Sequence, residues 1–174
     1  MNLGKFGALP PGHVPDLLAP GLKVVFCGTA LGRVSAERQA YYAHAGNVFW
    51  RTLHAIGLTP EQFEPKDYPR LLAHGIGLTD LSKSHFGNDA ELPPDAFDTE
   101  ALCEKIARCQ PKVLAFTSKT GASAFLGRPT GHLSLGPQSG AVGDTRLWVL
   151  PSPSGQARIF WNRQVWQDLA NAVK

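Results

Sequence analysis

The sequence predicts an α/β sandwich around a mostly parallel sheet. Three observations carry this expectation. Short runs at 23–27, 113–117 and 147–150, apolar for most of their length, have the composition of strands buried on both faces, and 76–81 reads as a further short strand. Segments with helical spacing alternate with them. Each run ends in a polar or glycine-bounded loop, and in an open parallel sheet ligands collect beyond the carboxyl ends of the strands.

In chain order, residues 1–20 hold Pro10, Pro11, Pro15 and Pro20 and read as irregular, with 1–13 an arm ahead of a single domain over 14–174. The first strand follows, then a long loop over 28–46 with a helical turn near 36–40. Loops this long in compact domains usually carry function. Val48, Phe49, Leu53 and Ile56 give a helix over 47–56, capped by Asn47 and stopped by Gly57. Thr59 and Pro60 signal the start of a second short helix, and 69–74 reads as a third. After the strand at 76–81, residues 82–97 form a surface loop with Gly87, Pro93 and Pro94. A helix opens at Asp98 or Thr99 with Leu102, Ile106 and Cys109 on one face. The strand at 113–117 runs into a helix from Ser118 or Lys119 to about Leu126. Residues 127–143 are glycine-rich and read as irregular, with room for a short strand. The last strand leads into Pro151-Ser152-Pro153-Ser154-Gly155, and a helix over 164–173 closes the chain.

Composition narrows the classes. A chain of 174 residues, 43% hydrophobic, supports one domain with a real core. A net charge of +3 permits nucleic acid without requiring it. No apolar run approaches the roughly 20 residues of a membrane span, and Lys5 is the one cation of residues 1–20 ahead of no apolar core, so neither membrane nor secretory signal is expected. Cys27, Cys103 and Cys109 make an odd count without metal spacing, which fits a reducing cytoplasm.

Four ordered segments then point to a family: LAPGLKVVFCG at 18–28, AHAGNVFW at 43–50, GIGLTDL at 75–81 and LPSPSGQAR at 150–158. Together they resemble the mismatch-specific uracil-DNA glycosylase and thymine-DNA glycosylase family, from about Val14 to the C-terminus. The resemblance implies a three-layer α/β/α fold and removal of uracil from G·U mispairs by a monomer in the cytoplasm. The partner would be double-stranded DNA with a mismatched or deaminated base, flipped out of the stack. Neither a metal nor an organic cofactor is implied.

The family's first loop reads Gly-Ile-Asn-Pro-Gly, and its Asn positions the attacking water. Here the loop is Gly28-Thr29-Ala30-Leu31-Gly32, so Ala30 stands where the Asn would be and cannot hold a water. The resemblance places Thr29, Ala30, Ser35, Tyr42 and Ser152 around the base, with Tyr42 at the stacking aromatic. In the last segment Gln156 replaces a leucine wedge, Ala157 replaces a serine, and Gly155 and Arg158 match. These four, with Lys119, form the expected DNA contacts, Arg158 on phosphate. With Ala30 inert, the candidate catalytic group is Asp80 at the end of its strand, as general base or as stabiliser of the cationic sugar. Two plainer readings stand beside it: Asp80 caps a turn or pairs with Lys83, and the protein reads mismatches without cutting. His44 either orients the site or braces its loop.

Overall fold

The structure, a computed structural model, describes residues 13–93 and 95–174; the expected arm falls almost wholly on residues outside these. The strands β1 (Val24–Gly28), β2 (Ile76–Asp80), β3 (Val113–Phe116), β4 (Gly136–Val142) and β5 (Thr145–Val149) form one sheet in the order β2-β1-β3-β5-β4. β1 pairs in parallel with β2 and β3, and β3 with β5; β4 is antiparallel to β5.

Helices α1 (Arg33–Arg38), α2 (Phe49–Ala55), α3 (Thr99–Cys109), α4 (Lys119–Leu126) and α5 (Arg163–Ala172) complete the frame. The period of two along each strand sorts its side chains between two cores. Val24, Phe26, Leu78 and Ala115 pack with Phe49 and Leu53 of α2 and Trp166 and Leu169 of α5. Val25, Cys27, Leu114 and Val149 pack with Leu102 and Ile106 of α3 and Ala122 of α4. The sheet is therefore a middle layer between helices on both faces, the expected α/β/α arrangement. Trp166 stacks on Phe26 at 5.6 Å, and Phe49 meets Phe26 edge-on at 5.4 Å. Aromatic pairs of this geometry add about 0.5–1.5 kcal/mol each beyond their burial.

Local signals set most helix ends. Asp98 accepts from the Ala101 amide and Ser118 from the Gly121 amide, so both expected N-caps form. Asn47 accepts from the Phe49 amide at 2.9 Å, just ahead of a helix that begins two residues later than its sequence suggests. α1 starts earlier than the expected turn and stops where Gln39 turns left-handed, φ 53°.

One expectation needs correction, and two are filled in. No helix starts at Thr59, whose hydroxyl instead donates to the Glu61 carbonyl. A stronger cap lies downstream: Glu64 and Asp67 form a reciprocal capping box with Pro65 at the first turn, and one 3-10 helix runs Pro65–His74. The short strand for which 127–143 left room is the seven-residue β4. Its glycines and proline sit on an edge strand with a bulge between Pro137 and Ala141, where a missing ladder donor is tolerated. Residues 13–20 keep the irregular course expected of them, and within it Leu17 and Leu78 exchange both backbone hydrogen bonds at 2.9 Å, which covers the outer edge of β2.

Candidate active site

Because β1, β2, β3 and β5 run parallel, their carboxyl ends meet one edge of the sheet. The register sets Gly28 beside Asp80 there. A β-carbon at Gly28 would lie 2.6 Å from Asp80 Oδ1 and 3.6 Å from the Tyr42 hydroxyl. The missing side chain thus makes the space in which the carboxylate rests, next to the phenol. The Tyr42 hydroxyl meets Thr117 Oγ1 at 3.2 Å, and Thr117 donates onward to the Cys27 carbonyl at 3.3 Å. The ends of three strands and the loop after α1 are thereby joined around Asp80.

Tyr42 holds a left-handed backbone, φ 51°, which is costly for a bulky residue and persists only where its surroundings enforce it. Two neighbours do so. Its ring stacks on Phe49 at 4.0 Å, and the next amide, of Ala43, donates to Ser35 Oγ at 2.9 Å. Ser35, expected at the base, is buried with its hydroxyl turned to this backbone contact.

Asp80 is 4% exposed, and its Oδ2 accepts no hydrogen bond among the described residues. The Lys83 ammonium stands 3.6 Å from that oxygen but is held more closely elsewhere, 3.1 Å from Asp16 Oδ1 and 3.1 Å from the Tyr41 hydroxyl. Lys105 closes on the other Asp16 oxygen at 2.7 Å, and Thr79 donates to Asp16 at 2.7 Å. Two lysines therefore serve Asp16 first and Asp80 at a distance. Burial lifts the Asp80 carboxyl from 3.8 to about 6; the Lys83 charge opposes the rise and the Asp16 charge adds to it. Burial also works against the Asp16 charge, but Lys83, Lys105 and Thr79 outweigh it and hold that carboxyl low. The Tyr42 phenol is pushed well up, by burial and then by Asp80, and stays protonated. A carboxylate titrating near 6 is ionised at neutral pH and still basic enough to take a proton.

Around this centre the loops are tied together. The Thr29 carbonyl accepts from the Ser82 amide at 2.8 Å, and its hydroxyl donates to Asp89 at 2.6 Å. Gly87 donates to the Leu31 carbonyl at 2.8 Å, so the 82–91 segment lies along the loop holding half-buried Ala30. On the other flank, Val48 donates to the Pro153 carbonyl at 3.0 Å. Gly155 approaches Gly46 so closely that a β-carbon would lie 3.2 Å from the Gly46 carbonyl oxygen. His44 Nδ1 accepts from the Gly46 amide at 2.9 Å, the bracing alternative. Ser152 Oγ accepts from the Ser154 amide at 3.2 Å and steadies the same turn. Beyond it a 3-10 helix, Gly155–Phe160, leaves Gln156 and Arg158 exposed and Ala157 half-buried. Lys119 is half-buried at the first residue of α4, without a carboxylate partner among the described residues.

The structure thus brings Asp80, Tyr42 and Thr29 to one edge and locks the Ser152–Gly155 turn to the loop that follows Tyr42. Sequence reasoning missed Asp16 and Thr117, set Asp89 behind Asp80 because its loop is long, and gave Lys83 an ion pair with Asp80 or a place on the DNA face. Thr117 carried a usable signal, since it ends a strand; Asp16 sits in a proline-rich stretch that reads as irregular. An open recess of about 450 Å³ lined by Lys23, Leu58, Thr59, His74 and Gly75 lies at the amino ends of β1 and β2, on the opposite edge from Asp80.

The sequence signature of the Uracil DNA glycosylase superfamily matches residues 15–170. In three dimensions the chain is similar to the solution NMR structure of a candidate uracil DNA glycosylase from Methanosarcina acetivorans. The TM-score is 0.61 at 22% sequence identity, over 92% of this chain and 96% of that one. At that identity the likeness speaks for the fold.

Proposed function

From the premise that the chain belongs to the uracil DNA glycosylase superfamily, we propose that it is a monofunctional glycosylase that removes uracil from G·U mispairs in double-stranded DNA, with Asp80 in place of the family's asparagine. The observation that carries the assignment is the Asp80 carboxylate: buried, seated over Gly28 at the mouth of the first loop, and lifted to about 6.

In this reading the deoxyuridine leaves the stack and its base lies on the Tyr42 ring, which Phe49 fixes from behind. The bond from C1′ to the base breaks, the electron pair leaves with uracil, and the sugar becomes cationic. The Asp80 carboxylate stabilises that charge and takes a proton from the water that adds to C1′. The proton passes to the departing base, giving free uracil and an abasic sugar. Arg158 and Lys119 contact phosphate, and the backbone of Gly155–Ala157 faces the orphaned guanine.

The test is single-turnover cleavage of a duplex with one G·U pair. Asp80→Asn should slow it roughly 100-fold or more, the lower range for losing a general base; parental speed would remove Asp80 from the chemistry. Restoring activity with Ala30→Asn on the Asp80→Asn background would show that the first loop still has the family geometry. Ala30 itself favours a second reading, a mismatch binder that cuts nothing. Tight G·U binding with no abasic product over hours would establish that instead.

A further inference from the structure

Among the described residues the exposed large apolar side chains are Phe86, 49% exposed, Ile159, 88%, and Phe160, 71%. All three follow carboxyl ends of parallel strands: Phe86 after β2, Ile159 and Phe160 after β5. They share the Asp80 edge of the sheet, and β1 and β3 lie between their strands. Most of a folded surface tolerates single exposed hydrophobics; an adjacent pair this exposed beside a candidate site indicates a contact.

We propose that Ile159 and Phe160 are the wedge that enters the duplex and holds the gap open when the nucleotide leaves the stack. The inference rests on the glycosylase reading and moves the penetrating role from Gln156 to its apolar neighbours. The pair stands on a stiff mount. Ser154 Oγ accepts from the Gln156 amide at 3.3 Å, Gly155 is pressed against Gly46, and the next residue, Trp161, packs on Trp166 at 5.7 Å. The backbone that carries the pair is thereby anchored on both sides.

Charge selects the occupant. Residues 152–163 hold Arg158 and Arg163 and no Asp or Glu. An apolar tip between cations, with no carboxylate, suits a stack of bases flanked by phosphates. Base faces exposed by unstacking are flat and apolar, and Phe and Ile are among the residues that architectural proteins insert between base steps. Glutamine at 156 keeps a polar end for a base edge but gives up its hydration if it fills the stack alone.

The experiment uses a G·U duplex with 2-aminopurine beside the uracil, whose emission rises when the stack opens. The parent protein should raise it and yield abasic product. Ile159→Ser/Phe160→Ser, both at exposed positions, should keep the parental urea midpoint. It should lose most of the emission rise and cleave roughly tenfold or more slowly, since nothing then fills the opened step. Gln156→Ala should change both by less. Parental unstacking and cleavage by the double variant overturns the inference while leaving the glycosylase reading intact. So does a parental dimer in ultracentrifugation that the double variant abolishes, because the pair then covers a second copy. A parent that neither binds nor cuts the duplex overturns the glycosylase reading and this inference with it.

Discussion

Replacing Asp80 by asparagine should stabilise the protein at neutral and alkaline pH while removing the group proposed to act. The carboxyl titrates near 6 in the folded chain against an ordinary 3.8, chiefly because burial disfavours its charge. A group whose folded value is raised contributes stability fully below the unfolded value and loses it as pH rises through the folded one. For Asp80 that window runs from 3.8 to about 6. Above it the buried carboxylate costs about 3 kcal/mol. Asparagine has the shape of the protonated acid and does not ionise. The advantage of Asp80→Asn should therefore be near zero at pH 4 and reach about 3 kcal/mol by pH 8, a rise of roughly 6–12 °C in melting temperature for a chain of this size. Urea unfolding of both proteins at pH 4, 6 and 8, with equal m-values, measures it. A difference that does not grow with pH, or a variant less stable than the parent at pH 8, would refute the claim that the fold strains against this charge. The confirming result shows a site kept at the expense of stability.

Three further outcomes follow from the same geometry. Gly28→Ala drives a methyl into the Asp80 carboxylate at 2.6 Å; it should cost about 1–3 kcal/mol as overpacking and abolish cleavage, and an active, fully stable variant would mean that Asp80 need not sit there. In the pH profile of single-turnover cleavage, the acid limb should fall near pH 6 in the parent. Lys83→Met should move it upward and Asp16→Asn downward, because the lysine opposes protonation of Asp80 and the aspartate favours it; shifts of the same sign in both variants would contradict the network. Arg158→Ala should weaken binding to any duplex and reduce the salt slope by about 0.9, and an unchanged slope would take Arg158 off the phosphates.

The sequence by itself determined the layers and the edge at which the chemistry would lie. Four apolar runs of strand length, separated by helical spacing, are local signals, and so are the caps at Asp98 and Ser118. Parallel strands then force their carboxyl ends together, which is why Asp80 was legible as a candidate from its place at the end of β2. Where local signals competed, the reading failed: Thr59 and Pro60 lost to the Glu64–Asp67 box. What only the tertiary structure decided is the state of the site. Asp16 reaches Lys83 across 67 positions of chain, and Tyr42 reaches Thr117 across 75. The raised Asp80 carboxyl and the mounting of the exposed Ile159–Phe160 tip, through Gly46, each depend on residues brought from distant elements. No short window of sequence contains their cause, because burial and charge act through space rather than along the chain.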